Sequence, residues 1–523
     1  MANGEQRSNI SGGHHARFRS EQKPPRRSRR PVLEALEGRQ LLKATLAAIP
    51  AVSVPAYLGY QVPLNGTGAL GPQTFTASSS NPNIKVSVAK GDFVTLNIAH
   101  AAAKGVPNDK AFSGSVTFEL FPGMTPITAQ EIEQFVRDGF YNGKIFHRVA
   151  NMFPGTKDFI EQGGSASGNG SGASNQPGTP FRDEFNQQLA FTGTYQVAMA
   201  NSGPDSNDTQ FFFTTGTPRF LDFGYTVFGQ VVAGQNIIND MTKVAVNPTD
   251  HTTPLSPITI KSASISTMNP NGVLHIDATH ANAGQSAVIT VTAKQGTTNV
   301  TRTFNVNVVA NTQVERPYVN PLPNLQAGLN QTVLFQIPAV SPTPGIQVAY
   351  TVNGGFNPYI GGFVPVANAT VKVDQSTGIV QVVPNKNFSG TISLLYGVRY
   401  AAMPDTPTSY EYHTITLTVN KSATPVIQRP LAVQLVGSAA VGKPTAIQLV
   451  AGNSNAGTSP TFSYTIISPP LHGTIAGFNP AKGTLNYTPT KGYKGIDVFQ
   501  YTVTAKLAGK VLTSVPAYVY VID

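Results

Sequence analysis

With 523 residues the chain is too long for one hydrophobic core, and domain sizes point to about three to five domains. It is 40% hydrophobic and only 12% charged, with 49 Gly and 40 Pro, which suits turn-rich β modules and argues against helical bundles. Cysteine is absent, which excludes disulfides, thiol catalysis and thiolate metal sites, and most of the net charge of +10 lies at one end.

Eight Arg and Lys side chains (Arg7, Arg17, Arg19, Lys23, Arg26, Arg27, Arg29 and Arg30) oppose Glu5 and Glu21 in the first thirty residues. Such an arm suits nucleic acid or a solvated targeting tail. Because the remainder is close to neutral, no nucleic-acid partner is expected. No run of 18 apolar residues occurs, so no transmembrane helix is expected. Residues 1–49 read as a disordered basic leader. Within it, Arg29-Arg30-Pro31-Val32-Leu33-Glu34-Ala35-Leu36-Glu37-Gly38-Arg39-Gln40-Leu41-Leu42 resembles the leader motif of planctomycete-type extracellular proteins. That resemblance implies export to the cell surface or beyond.

From Pro50 the pattern turns β-like. Gln73–Ala77, Ile84–Val88 and Phe93–Ile98 alternate apolar and polar residues between turn clusters such as Ser80-Asn81-Pro82-Asn83. Val116–Phe121 predicts a further strand. Thr128–Asp138 predicts an amphipathic helix, with Ile132, Phe135 and Val136 on one face, Thr128 as N-cap and Gly139 as terminator. Strands return over 273–309. Residues 50–108 and 268–311 each look like part of a sandwich, so the expectation is one immunoglobulin- or cadherin-like module in two pieces around an insertion at 109–267. Two further all-β units are expected at 312–421 and 422–523. Their glycine turns resemble the tandem immunoglobulin/cadherin-like repeats of bacterial surface proteins, which implies spacers or adhesive modules.

The chemistry concentrates between Phe146 and Gly229. Phe146-His147-Arg148-Val149 is followed by Gln162-Gly163-Gly164, Met199–Pro204, Gln210-Phe211-Phe212-Phe213, Leu221-Asp222 and Val227-Phe228-Gly229. One guanidinium, two amides and several bulky apolar side chains recur there without a nucleophile, an acid–base pair or a metal cluster. A site of that kind binds and strains a peptide without hydrolysing it. Gly168–Gly172 reads as a flexible loop rather than a phosphate cradle, and Asp205, Asn207 and Asp208 as a polar turn rather than a calcium loop.

These motifs, in this order over roughly 112–267, resemble the cyclophilin family of peptidyl-prolyl cis-trans isomerases. The resemblance implies an eight-stranded antiparallel barrel with two helices, so the whole is expected to be mainly β, with about three sandwich modules beside the barrel. It implies a cofactor-free isomerase acting on X–Pro bonds of exported or surface proteins, with proline-containing segments as partners. Arg148 is the expected catalytic residue, donating to the prolyl nitrogen of the twisted amide. Phe159, Ile160, Phe212 and Leu221 are expected to form the proline pocket, with Phe220 at the rim. Gln162 and Asn201 would bond the substrate backbone, Ala200 and Ser202 line the groove, and Gln210 supports its floor. Tyr225 stands where many members carry His. Taken singly, the aromatics also fit plain barrel core and Arg148 a surface ion pair.

The chain departs from the family pattern in three places. Ala150–Asp158 lengthens the run between arginine and pocket, so that Phe153 competes with Phe159 for the pocket role. Glu161 sits where an apolar residue is usual, and an unpaired buried carboxylate is costly. Phe220 replaces a common tryptophan. The alternative to an isomerase is a surface adhesion or structural protein that uses the groove to hold proline peptides without turnover, with the β modules meeting cell-surface partners.

Overall fold

A computed structural model describes residues 43–523 apart from 67–70, 151–158 and positions 344, 358, 423, 441, 454, 456, 457, 471, 494, 508 and 523. The leader motif, 151–158 and with it Phe153 lie outside the described residues. Strands β1 (Val52–Pro55), β2 (Gly59–Leu64), β3 (Thr74–Ser79) and β4 (Lys85–Val88) come first. Then follow β5 (Phe93–His100), β6 (Phe112–Leu120), α1 (Pro126–Arg137), β7 (Ile145–Ala150), β8 (Ile160–Gly163), β9 (Gln196–Met199) and β10 (Phe211–Thr214). Next are β11 (Val227–Ala233), α2 (Gln235–Met241), β12 (Ile258–Ser266), β13 (Gly272–Asp277), β14 (Ser286–Gln295) and β15 (Thr298–Val309).

Eight of these strands close into an antiparallel barrel in the order β10-β8-β7-β12-β5-β6-β11-β9. Alternation along each strand sends one set of side chains inward. Leu96, Phe118, Phe146, Phe211, Phe213 and Phe228 fill the interior, and Phe135 of α1 and Ile238 of α2 join the same cluster. Phe93–His100 belongs here and not to the sandwich piece at 50–108. Its alternation suits either sheet, and its pairing with β6 and β12 decides the matter by burying Val94, Leu96 and Ile98 inside the barrel.

Helix α1 begins at Pro126, with Thr125 in the N-cap position, so Thr128 is not the cap. Proline suits the first turn because the N–H it lacks would have no partner inside the helix. Thr128 donates its N–H and its hydroxyl to Glu184 Oε2 at 2.8 and 2.9 Å, so a distant carboxylate satisfies the helix start. Gly139 at φ +70° ends the helix as the sequence indicates.

Strands from before and after the barrel segment share two sheets, β1-β15-β14-β3 and β2-β13-β4. Val54, Leu64, Leu274, Ile289 and Val306 form the core between them. This sandwich is tightly applied to the barrel. Gln196 Nε2 donates to Gln61 Oε1 at 2.7 Å, and a Cβ on Gly59 would lie 2.2 Å from the Gln188 carbonyl oxygen.

Two further β units follow, each built on two main sheets, with cores around Val382, Leu394 and Leu417 and around Tyr487, Phe499 and Val519. In each unit an early strand runs parallel to the last, Leu325–Ala327 against Glu411–Val419 and Leu435–Ser438 against Ala517–Ile522. The sandwich beside the barrel does the same with β1 and β15. The chain is therefore mainly β, a barrel with two helices accompanied by immunoglobulin-like sandwiches. Among the described residues no helix is long and apolar enough to cross a membrane.

Candidate active site

The outer face of β7, β8 and β10 carries Arg148, Gln162 and Phe212 in register, beside Ala198 of β9. Arg148 pairs with Gln162, Gln162 with Phe212, and Phe212 with Ala198. A bulge between Phe146 and Arg148 makes this possible. One extra residue, His147, shifts the strand so that Phe146 and Val149 stay inside the barrel while Arg148 stands opposite Gln162. Arg148 Nη1 donates to Gln162 Oε1 at 3.2 Å, Gln162 Nε2 to Gln210 Oε1 at 3.1 Å, and Gln210 Nε2 to the Gly170 carbonyl at 3.3 Å. The partner of Arg148 is thus a neutral amide, which fixes the guanidinium without neutralising it. His147 is buried, and burial together with the Arg148 charge lowers its pKa to about 4, so it is neutral near pH 7.

An apolar pocket adjoins this row. Ile160 and Phe212 belong to one buried cluster outside the barrel core, and Phe159, Ala200, Leu221 and Tyr225 pack against it half-buried. The Phe159 ring lies 5.9 Å from Arg148 Cζ and 5.5 Å from the Phe220 ring. Phe220 is 63% exposed. The Tyr225 ring meets Phe212 edge-on at 5.9 Å. Phe220 and Leu221 ride on a 3-10 turn, Arg219–Leu221.

Asn201 and Ser202 follow β9. The Asn201 amide is engaged within the protein, donating to Asp183 Oδ1 at 3.2 Å and to the Gly224 carbonyl at 3.0 Å. Its side chain therefore holds the groove wall. Asp183 is buried, with its pKa raised by that burial to about 6, and also accepts from Asn207 at 2.9 Å. Ser202 is exposed at the end of the groove. Among the described residues no group of His, Cys, Asp and Glu is arranged to hold a metal ion. The arrangement can seat an apolar ring beside a fixed cation and bond an extended backbone.

Residues 108–265 match the family model for cyclophilin type peptidyl-prolyl cis-trans isomerases. Over 137 residues the chain is 39% identical to peptidyl-prolyl cis-trans isomerase-like 1 of Homo sapiens, covering 26% of this chain and 79% of that protein. It is 35% identical over 150 residues to a peptidyl-prolyl cis-trans isomerase of Schizosaccharomyces pombe, covering 29% and 92%. The chain belongs to the cyclophilin-type isomerases. Its activity is the isomerisation of X–Pro bonds. A solved cyclophilin type isomerase of Cryptosporidium parvum aligns with 34% of the chain and 98% of its own length, at 26% identity and a TM-score of 0.29. Residues 423–513 match the bacterial Ig domain family.

No motif marks the contacts that join the cyclophilin barrel to the unit after it. Arg219 Nε binds Asp222 Oδ2 at 2.5 Å, and its Nη2 binds Glu315 from the strap that leads into the next unit. Asp222 also accepts the Phe191 N–H at 2.6 Å, so Asp222-Phe223-Gly224 is a structural corner. Burial raises the Asp222 pKa to about 7 against the opposing pull of Arg219. Tyr318 stacks on Phe223 at 5.1 Å, and His413 Nδ1 meets Asp205 Oδ1 at 2.6 Å. Burial disfavours the charged form of His413, but Glu411, Asp205 and Asp183 outweigh it and raise its pKa to about 9. The partners from the following unit, Glu315, Tyr318 and His413, lie too far along the chain for spacing to reveal them.

Proposed function

We propose that this chain is an exported or surface isomerase whose cyclophilin groove acts on X–Pro bonds of proteins outside the cytoplasm. The reaction rotates an amide whose resonance barrier is about 18–20 kcal/mol. In the twisted state the prolyl nitrogen becomes pyramidal and accepts a hydrogen bond, which Arg148 supplies. Phe159, Ile160, Phe212 and Leu221 hold the ring, Phe220 closes the rim, and Gln162 with the Asn201 main chain aligns the peptide. The observation that carries this reading is the register row Arg148–Gln162–Phe212 beside the apolar pocket. A guanidinium held by a neutral partner is pre-organised for a charge-assisted bond formed only when the amide twists.

Gln162→Ala tests it. Losing the amide frees Arg148 and removes one backbone contact, so kcat/KM should fall about tenfold, roughly 1.4 kcal/mol, with little change in thermal stability. A change of less than twofold contradicts the orienting role. The barrel is proposed as an insertion in the sandwich formed by strands from both sides, because neither sandwich piece has a complete sheet alone. Placement outside the cytoplasm rests on the Ig-like repeats and the leader resemblance, and recovery of the protein solely from cytosol on cell fractionation would refute it.

A further inference from the structure

A cavity of about 670 Å³ opens beside the proline pocket, a size that suits a peptide segment. Asn201, Phe220 and Leu221 of the groove form one wall. The opposite wall lies outside the barrel and consists of the strap residues Val314 and Arg316 together with Glu411 of the following unit.

That second wall is built into the fold. Glu315 of the strap is buried, pairs with Arg219, and accepts from Asn311 Nδ2 at 3.0 Å. The Tyr318 stack on Phe223 and the His413–Asp205 contact fix the same two bodies. The 3-10 turn bearing Phe220 and Leu221 is thus tied through Arg219 to the strap, so groove and added wall are held as one frame.

The chemistry of the added wall has unspent capacity. Glu411 is 1% exposed, and its Oε2 accepts the Val319 N–H at 2.6 Å. Its Oε1 has no hydrogen-bond partner among the described residues, the nearest cation being His413 Nε2 at 3.8 Å. An unpaired buried acceptor is costly, which calls for a donor from outside. Arg316 spends one of its five donors on the Tyr410 carbonyl at 2.7 Å. Val314 adds an apolar side chain, 65% exposed, beside them. An acceptor, a donor and an apolar contact within one cleft match the main chain of an extended polypeptide.

We infer that this cavity is a second subsite of the isomerase, contributed jointly by barrel and following unit, which binds the main chain flanking the proline. Arg316 donates to a peptide carbonyl and Glu411 accepts a peptide N–H. The substrate class it selects is a proline within a long extended segment of protein rather than in a short peptide. The inference rests on the groove reading above.

The test compares kcat/KM of the full chain on an X–Pro tetrapeptide and on a decapeptide with the same centre. Wild type should favour the decapeptide about tenfold. Arg316→Ala should lower the decapeptide value about tenfold more than the tetrapeptide value, mainly through KM, and Arg316→Lys should restore part of the loss. Equal values for the two lengths in wild type, or equal losses on both in Arg316→Ala, would overturn the subsite. Arg148→Ala serves as the separate control: full turnover in that variant counts against the groove reading alone, whereas the Arg316-dependent length effect reports on the subsite.

Discussion

Arg148→Ala is expected to lower kcat/KM for an X–Pro peptide by roughly 100- to 1000-fold, about 3–4 kcal/mol of transition-state stabilisation. The ground-state amide nitrogen is planar and a poor acceptor, so a bond from Arg148 forms mainly in the twisted state and its loss falls on kcat rather than KM. The geometry supports this split. Arg148 sits at the edge of the pocket, with Cζ 5.9 Å from the Phe159 ring, while Ile160 and Phe212 are buried without its help. Its hydrogen-bond partner is Gln162 and not a carboxylate, so removing it leaves no buried charge unpaired and the fold should be unaffected. Arg148→Lys keeps the charge but loses the rigid fork and should recover only part of the rate. A protease-coupled assay together with thermal unfolding measures both expectations, and a fall of less than threefold in Arg148→Ala would remove it from the catalytic role.

Glu161→Met is expected to stabilise the protein by about 1–3 kcal/mol at pH 7–8. Glu161 is fully buried in the barrel wall between Val149 and Phe213, and neither carboxyl oxygen has a partner among the described residues. Burial holds its pKa well above the usual carboxylate range. Burial likewise raises Glu119 to about 8. A carboxyl whose folded pKa exceeds its unfolded value of 4.5 stabilises the fold fully below that value. The contribution is then lost as pH rises towards the folded pKa, by about 1.4 kcal/mol per pH unit per group. Wild type should therefore lose unfolding free energy between pH 5 and pH 8, and Glu161→Met should show a shallower decline. Denaturant unfolding across that range checks the slope. A less stable variant with an unchanged slope would mean that the carboxyl is paired in solution.

The barrel is legible in the sequence because its signals are local. Phe146-His147-Arg148, Gln162 and Gln210–Phe213 are short strands whose alternation sets one face inward and one outward, and pairing then brings Arg148, Gln162 and Phe212 level. Thr125 and Thr128 are equally good capping residues by type, so the sequence does not single out the helix start, and Glu184, far along the chain, takes over the bonding at Thr128. The alternation of Phe93–His100 shows that the strand is half-buried and not which sheet buries it. The bonds that Asp183 and Gly224 make with the Asn201 amide carry no sequence signal, because both partners are remote in the chain. The strap residues Glu315 and Arg316, and Glu411 with His413, carry no motif. Their importance arises only when the following unit folds against the barrel.

The most direct test of the central claim is cis–trans exchange of an X–Pro peptide, followed by NMR exchange spectroscopy with the full chain at substoichiometric concentration. Uncatalysed exchange takes tens to hundreds of seconds. Exchange cross-peaks on a subsecond timescale, abolished by excess of a second proline peptide, are the expected result. Exchange at the spontaneous rate while the peptide resonances broaden or shift on binding would contradict it, and would make the groove a proline-peptide binding site without turnover.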